Sequence, residues 1–475
     1  MKFERSTIVT RAIITTAALL ISGILMSCSK APENLQVVDK SASHFTLEWQ
    51  KKSDKTTGFR IERLENQEWL PVGAVSSDIT SFVAAGYLAD QSYEHRVVAL
   101  HRGGESASPA VSSTTMSNFA ARKSRLIAKY SERQDPGSII KLKNGDLVIY
   151  YSDMETVSDL AESTVSKKVS SDNGATWGER KVVFREKGMS LFMPGVIYLP
   201  NGTIGITYAN RVPGDWFSKR VFRYSADEGR SWSEEQDVTD GSYDYSTGSH
   251  DRFYLLSNDR LVILIHSLTT PGGQRPRHLV TDVYVSDDNG ETWLKKTKTA
   301  LDVPHNPLQK GEYGMWECSI VEHKPGQLLM YGRTATSWLY KSESTDYGET
   351  WTKPEKVDIP QPLSPPYLKM IPGTDTIVML NNPIVDKDHR LLGNRYVIAS
   401  RISNDGGRTW HNYKQIEYHS HDWWYDYPCL FFDGDVAHIS MRDIELKPDN
   451  SWEKVYLGYL QLPTKWFLRE ETYPY

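Results

Sequence analysis

The sequence predicts an all-β protein, a six-bladed β-propeller preceded by a smaller β-sandwich. Three observations lead there. An octet of the form Ser-x-Asp-x-Gly-x-Thr-Trp, with Ser231 in place of Thr in one copy, recurs five times: Ser170–Trp177, Ser225–Trp232, Ser286–Trp293, Ser344–Trp351 and Ser403–Trp410. Its Asp residues (172, 227, 288, 346 and 405) lie 55, 61, 58 and 59 residues apart, a period that denotes an array of like units. A hairpin signal, two β-rich runs about a tight turn, recurs six times between Gly137 and Asp443, so the array has four strands per unit.

The elements follow in order. Lys2, Arg5 and Arg11 precede an apolar run from Ala12 to Met26, which has the shape of a secretory signal. The run ends Leu25-Met26-Ser27-Cys28, which resembles a bacterial lipobox. That resemblance implies residues 1–28 as a signal peptide and lipidation at Cys28. The mature chain would then be anchored at the bacterial cell envelope, facing the periplasm or the surface, and would touch the membrane through its lipid alone. Residues 34–115 alternate in short runs with polar turns, among them Phe45–Trp49, Gly58–Arg63 and Tyr93–Ala99, which read as a β-sandwich. Trp49, Tyr93 and the stretch Gly103–Pro109 resemble the fibronectin type III module. Met116 to Arg125 reads as a linker with a helical turn, and residues 121–475 as the propeller.

Within the propeller, the hairpins are Gly137–Asp153 about Asn144-Gly145, Pro194–Arg211 about Asn201-Gly202, and Arg252–Ser267 about Asn258-Asp259. The later three are Cys318–Thr334 about Pro325-Gly326, Tyr367–Asn381 about Gly373–Asp375, and Tyr427–Asp443 about Asp433-Gly434. Asn-Gly and its relatives supply the positive φ of tight hairpin turns. In each octet, Gly allows a left-handed backbone, Asp and Ser/Thr bond back to local N–H groups, and Trp packs beneath.

Composition narrows the function. A formal net charge of −5 gives no basic surface for displacing counterions, so no nucleic-acid partner is expected. Three Cys cannot make a disulfide framework. The octets lack the carboxylate ladder of calcium loops, and His419-Ser-His421-Asp422 reads as a loop, so no metal and no cofactor are expected. A monomer is expected.

If the first strands line a channel, the hairpin ends converge at one mouth. The second runs end at Asp153, Arg211, His266, Arg333, Asn381 and Arg442, and the first open near Arg133, Asp135, Asp251, Arg252, Glu317 and Tyr427. Glu317, between Trp316 and the apolar Cys318–Val321, is a carboxylate that needs a partner.

The octets resemble the Asp boxes of the sialidase superfamily, and Glu317–Glu322, Leu328–Thr334, Asn394-Arg395 and Tyr427-Pro428 resemble that family's later blades. The resemblance implies an exo-glycosidase acting on the terminal sugar of a glycan, sialic acid first. It implies Tyr427 as nucleophile, Glu317 as its base, and Arg333 and Arg395 in a carboxylate-binding trio. A phenol suits a sugar whose anomeric carbon bears a carboxylate, because a carboxylate nucleophile would be repelled. An acid/base Asp is implied after the first hairpin; Asp159 fits the count, with Asp153 as the alternative. Asp153, Arg211 and Arg252 are further candidate contacts. The family reads Phe/Tyr-Arg-Ile-Pro on entering the first blade, whereas this chain reads Arg133-Gln134-Asp135-Pro136. Arg133 is one place early, and a one-residue slip turns a strand side chain to the other face. Two alternatives therefore stand beside sialic acid: a different terminal sugar on the same scaffold, and a non-catalytic glycan-binding propeller.

Overall fold

Runs of β-branched and aromatic residues, punctuated by hairpin turns and octets, become strands almost throughout. The computed structural model describes residues 30–40, 44–85, 87, 91–115, 122–125, 131–213, 217–239, 247–269, 276–297, 301–303, 311–383, 395–417 and 422–468. The signal segment with Cys28, Asn394 and the pair His419 and His421 lie outside them. Among the described residues the single helix is Thr464–Leu468.

The chain divides into two compact units. The first comprises Met1–Leu35, Trp49–Thr80 and His95–Ala110. Its sheet runs in the order Glu68–Ser76, Thr56–Glu65, Ser92–His101, Gly104–Ala107, with Trp49 packed edge-on against Phe59. The second comprises Gln36–Glu48, Ser81–Glu94 and Val111–Tyr475. It holds a sheet of order Glu33–Lys40, His44–Gln50, Ser81–Ala85, in which Phe45 packs on Tyr87 and Tyr93, and all six hairpins.

Each expected hairpin is an antiparallel pair. They are Ile139–Lys141 with Leu147–Met154, Ser190–Tyr198 with Ile204–Arg211, and Phe253–Leu255 with Leu261–Leu268. The others are Glu312–Lys324 with Gln327–Thr334, Tyr367–Met370 with Ile377–Asn381, and Trp423–Asp433 with Val436–Leu446. A third strand follows each, and the first five third strands end on the Ser that opens an octet. The last third strand, Trp452–Pro463, has no octet. It pairs instead with Arg122–Arg125, the stretch expected to be a helical linker. That strand pairs with residues more than three hundred positions away, which no local pattern reveals.

The sheets are not isolated four-stranded units. Short parallel pairings, Arg133 to Val455, Ser163 to Ser190 and Arg277–Leu279 to Glu312–Gly314, join neighbours into one 13-stranded and one 8-stranded sheet beside a 4-stranded one.

The five octets share one hydrogen-bond pattern. In Ser286–Trp293 the Ser286 hydroxyl donates to Asp288 (2.7 Å) and accepts from Gly290 N–H (2.8 Å). Thr292 donates its N–H and hydroxyl to the two Asp288 oxygens at 2.9 and 2.5 Å. Three octet Trp residues pack on the unit before their own: Trp232 on Tyr150, Trp293 on Phe222 (and on Phe253 of its own unit), and Trp410 on Tyr331. Trp177, in the first octet, packs on Tyr459 in the last strand.

Replacing Asp288 by Ala removes the acceptor of three hydrogen bonds, two of them solvent-exposed, and is expected to cost about 1 kcal/mol of stability in urea unfolding. Gly290→Ala should cost more, because φ is +90° and a Cβ would lie 2.4 Å from Phe222. An unchanged midpoint for both variants would show that the octets do not hold the units together.

Candidate active site

Three first-strand positions carry a non-glycine residue in the left-handed region, Met193 (φ 57°), Glu317 (49°) and Tyr427 (49°), and Asp251 (51°) does so just ahead of the first strand of its hairpin. At three of them the register with the partner strand shifts, between Phe192 and Gly195, Trp316 and Ser319, and Asp426 and Cys429. Each is a β-bulge, which inserts an extra residue and re-aims a side chain. Such a conformation costs on the order of 1 kcal/mol or more for a residue with a Cβ, and it persists where the surrounding structure enforces it. Here it directs Glu317 and Tyr427 into one cavity of about 170 Å³.

In that cavity the Tyr427 hydroxyl donates to Glu317 Oε1 at 2.5 Å. Arg333 Nη1 donates to Glu317 Oε2 at 2.5 Å and to the Tyr427 hydroxyl at 3.2 Å. Burial alone would raise the Glu317 carboxyl, but Arg333, His266 and the Tyr427 hydroxyl outweigh it and bring it down to about 2. Burial and the adjacent Glu317 charge push the Tyr427 phenol well above its ordinary value. The proton therefore rests on the tyrosine beside an ionised acceptor.

Cations surround the pair. The Arg442 guanidinium lies 4.2 Å from the Tyr427 ring centroid and that of Arg395 lies 5.9 Å away. Arg442 donates to Asp426 through Nε (2.5 Å) and Nη2 (2.7 Å), and Arg395 donates to the same carboxylate. Arg133 donates through Nε and Nη2 to Asp135 (2.8 and 2.6 Å) and through Nη1 to Asp159 (2.6 Å). Burial raises the Asp135 carboxyl, but Arg133 and Arg442 outweigh it and leave it well below its ordinary value. The wall also includes Phe192, Leu268, Leu279 and Trp316.

The sequence-derived candidates divide accordingly. Tyr427, Glu317, Asp159, Arg333, Arg395, Arg133 and Arg211 all line the cavity. Arg133 faces it without a bulge, and Gln134 does not line it: its side-chain amide donates to Ser131 at 2.6 Å. Asp153 lies elsewhere, paired with Arg180 and Ser131 in a second depression, because its place on the strand puts it on the other side from Asp159. Arg252 is not a cavity residue either. It is fully buried and donates to the backbone carbonyls of Cys318, His250 and Pro366, tying three first strands together. Sequence reasoning assigned no role to Asp426 or Glu312, and it placed Arg442 at the mouth among the hairpin ends without giving it a part in the carboxylate-binding trio. Arg442 is also a directly opposed cross-strand partner of Asp426, the residue before Tyr427.

His250 packs edge-on against Tyr427 at 4.8 Å, with neither ring nitrogen hydrogen-bonded, and His266 meets Thr247 at 2.6 Å. Burial lowers both histidines to about 4.

With this fold and geometry in place, the family can be stated. The chain belongs to the BNR repeat-like domain family, whose model matches residues 164–439. Residues 30–115 match the fibronectin type III domain. No curated protein matches the chain by sequence. Among solved structures, the fold is similar to NanB sialidase from Streptococcus pneumoniae, with 12% identity, TM-score 0.56, and 89% of this chain and 95% of that chain covered. It is similar to Trypanosoma rangeli sialidase, with 16% identity, TM-score 0.51, and coverage of 72% and 59%. A protein of unknown function from Dyadobacter fermentans gives 18% identity, TM-score 0.54, and coverage of 72% and 100%.

The histidines set an acid limit. With folded values of about 4 against an ordinary 6.5, the unfolded chain binds more protons between those values. Their contribution is complete above pH 6.5 and is lost as pH falls through 4, roughly 3 kcal/mol each by linkage. Urea midpoints should fall from pH 6.5 downward, before the carboxylates titrate, and His266→Gln should flatten that slope. A midpoint constant to pH 4.5 would contradict this.

Proposed function

We propose that this protein is a retaining exo-glycosidase that removes a terminal sialic acid from glycans, working on a six-bladed β-propeller. The observation that carries the reading is the buried Tyr427–Glu317 hydrogen bond of 2.5 Å, capped by Arg333 and opening on the cavity. Six hairpins, the pairing of Trp452–Pro463 with Arg122–Arg125, and Trp177 wedged on Tyr459 support six blades closed by both ends of the domain.

The chemistry follows from the resting proton. As the Tyr427 oxygen attacks the anomeric carbon, its proton passes to Glu317, and Arg333, which touches both groups, holds the negative charge as it moves from the carboxylate to the phenolic oxygen. Asp159 has a side chain 74% exposed at the cavity. Enclosure there would raise its carboxyl, but Arg133 outweighs this and holds it below the ordinary range, so it rests ionised. It takes up a proton from solvent when the substrate binds and passes it to the departing glycosidic oxygen. Water then attacks the anomeric carbon from the face the aglycone left, with Asp159 as base; the bond to the Tyr427 oxygen breaks and Glu317 returns its proton to that oxygen, which gives net retention. The arginines beside Tyr427 offer bidentate contacts to a carboxylate on the anomeric carbon.

One observation favours a second reading, a different terminal sugar. Arg133, the nearest match to the family's first arginine, is already engaged by Asp135 and Asp159, which are unfavourable neighbours for an anionic ring.

Release of free sugar from an α-linked sialoside, beside a panel of other terminal-sugar glycosides, decides between them. Sialic acid released first as the α-anomer, followed by proton NMR, is the expected result. Hydrolysis of another glycoside alone would replace the substrate, and silence throughout would leave a binding role. Tyr427→Phe should remove turnover while leaving the melting temperature within about 2 °C, and Glu317→Gln should lower kcat roughly 10²–10⁴-fold. Full activity in Tyr427→Phe would refute the mechanism whatever the substrate.

A further inference from the structure

Six arginines line the cavity, and they differ in which carboxylates already hold them. Arg133 is one cation between two carboxylates: Asp135 takes its Nε and Nη2, and Asp159 takes its Nη1. That group sums to one negative charge. Asp426 is the reverse, one carboxylate between two cations, accepting from Arg442 twice and from Arg395. That group sums to one positive charge. The two groups meet where Arg442 Nη1 lies 3.5 Å from Asp135 Oδ1.

The positive group sits on the reacting tyrosine. Arg442 covers the Tyr427 ring at 4.2 Å, Arg395 flanks it at 5.9 Å, and Arg333 reaches its hydroxyl at 3.2 Å. Arg133 and Arg442 both lie over the Trp452 ring, at 5.0 and 4.8 Å, but only Arg442 also covers Tyr427. A substrate anion is drawn to surplus positive charge and repelled by surplus negative charge, most strongly where burial limits screening. Chain geometry fixes the arrangement: Asp426 and Arg442 are opposed across one hairpin, and the bulge that follows Asp426 turns Tyr427 into the same cavity.

We propose that Arg442 is a specificity-determining residue. Together with Arg333 and Arg395 it forms the grip on the substrate carboxylate, while Arg133 is held out of that grip by Asp135 and Asp159 and serves to position Asp159. This inference rests on the reading of the substrate as a carboxylate-bearing sugar. It accounts for the displaced arginine at the entry to the first hairpin, because the third cation comes from the last hairpin instead.

The test is binding of N-acetylneuraminic acid and of its methyl ester to the purified full chain by calorimetry. The wild type should favour the acid. Arg442→Lys, which keeps the charge opposite Asp426 but loses the fork, should reduce the acid-to-ester ratio about tenfold or more, the loss of one charge-assisted bond. Arg133→Lys should keep the ratio within about threefold. Arg442→Gln serves as a second variant, and thermal melts of all three identify any that do not fold. Loss of the ratio in Arg133→Lys with retention in Arg442→Lys overturns this inference and leaves the sialic acid reading intact. A wild type that binds acid and ester equally overturns both.

Discussion

The interaction on which the rest of this structure depends is the wedge between one repeat and the next. In each octet an Asp carboxylate locks a tight turn, and in four of the five the turn presents a Trp and a bare glycine to a neighbouring unit. The space at that glycine is small: a Cβ at Gly174 would lie 1.9 Å from the Tyr459 hydroxyl, and one at Gly407 would lie 2.2 Å from Leu329. Two residues in succession hold positive φ in all five turns, which explains both the glycine and its small or polar neighbours. No unit completes its own core, so burial of apolar surface drives the array to assemble as a whole.

That scaffold leaves the first strands free to carry function. Ordinary strand alternation would send successive side chains to opposite faces. The bulges at Met193, Glu317 and Tyr427 break that alternation at corresponding places, so side chains from separate repeats enter one cavity. Local backbone strain is what brings Tyr427 and Glu317 into contact across 110 residues of sequence.

Charge then decides what the cavity can do. Buried arginines are tolerable only with partners, since an unpaired charge out of water is costly. Arg133, Arg333, Arg395 and Arg442 are each tied to a carboxylate, with Asp135, Glu317 and Asp426 as the buried acceptors. Because these pairings are unequal, the cavity is polarised: its positive side lies at Tyr427 and its negative side at Asp135 and Asp159. His250 and His266, held neutral by burial, add no charge to that balance near neutral pH.

The sequence by itself determined the all-β class, the number and place of the hairpins and the five octets, because each is written locally as a turn, an alternation or a short motif; the tyrosine–glutamate pair came from the resemblance those motifs carry. It also placed Arg333 and Arg395 in the site. What it could not decide was set by contacts distant along the chain. Arg122–Arg125 is a strand only because Trp452–Pro463 offers it an edge. Asp153 and Arg252 resemble site residues in sequence, yet one turns to Arg180 and the other clamps three backbones. Arg442 became a site residue through Asp426 and Tyr427. A motif records which side chains are near in sequence, whereas a bulge and an ion pair depend on the direction in which strands from separate repeats converge, and tertiary structure alone supplies that direction.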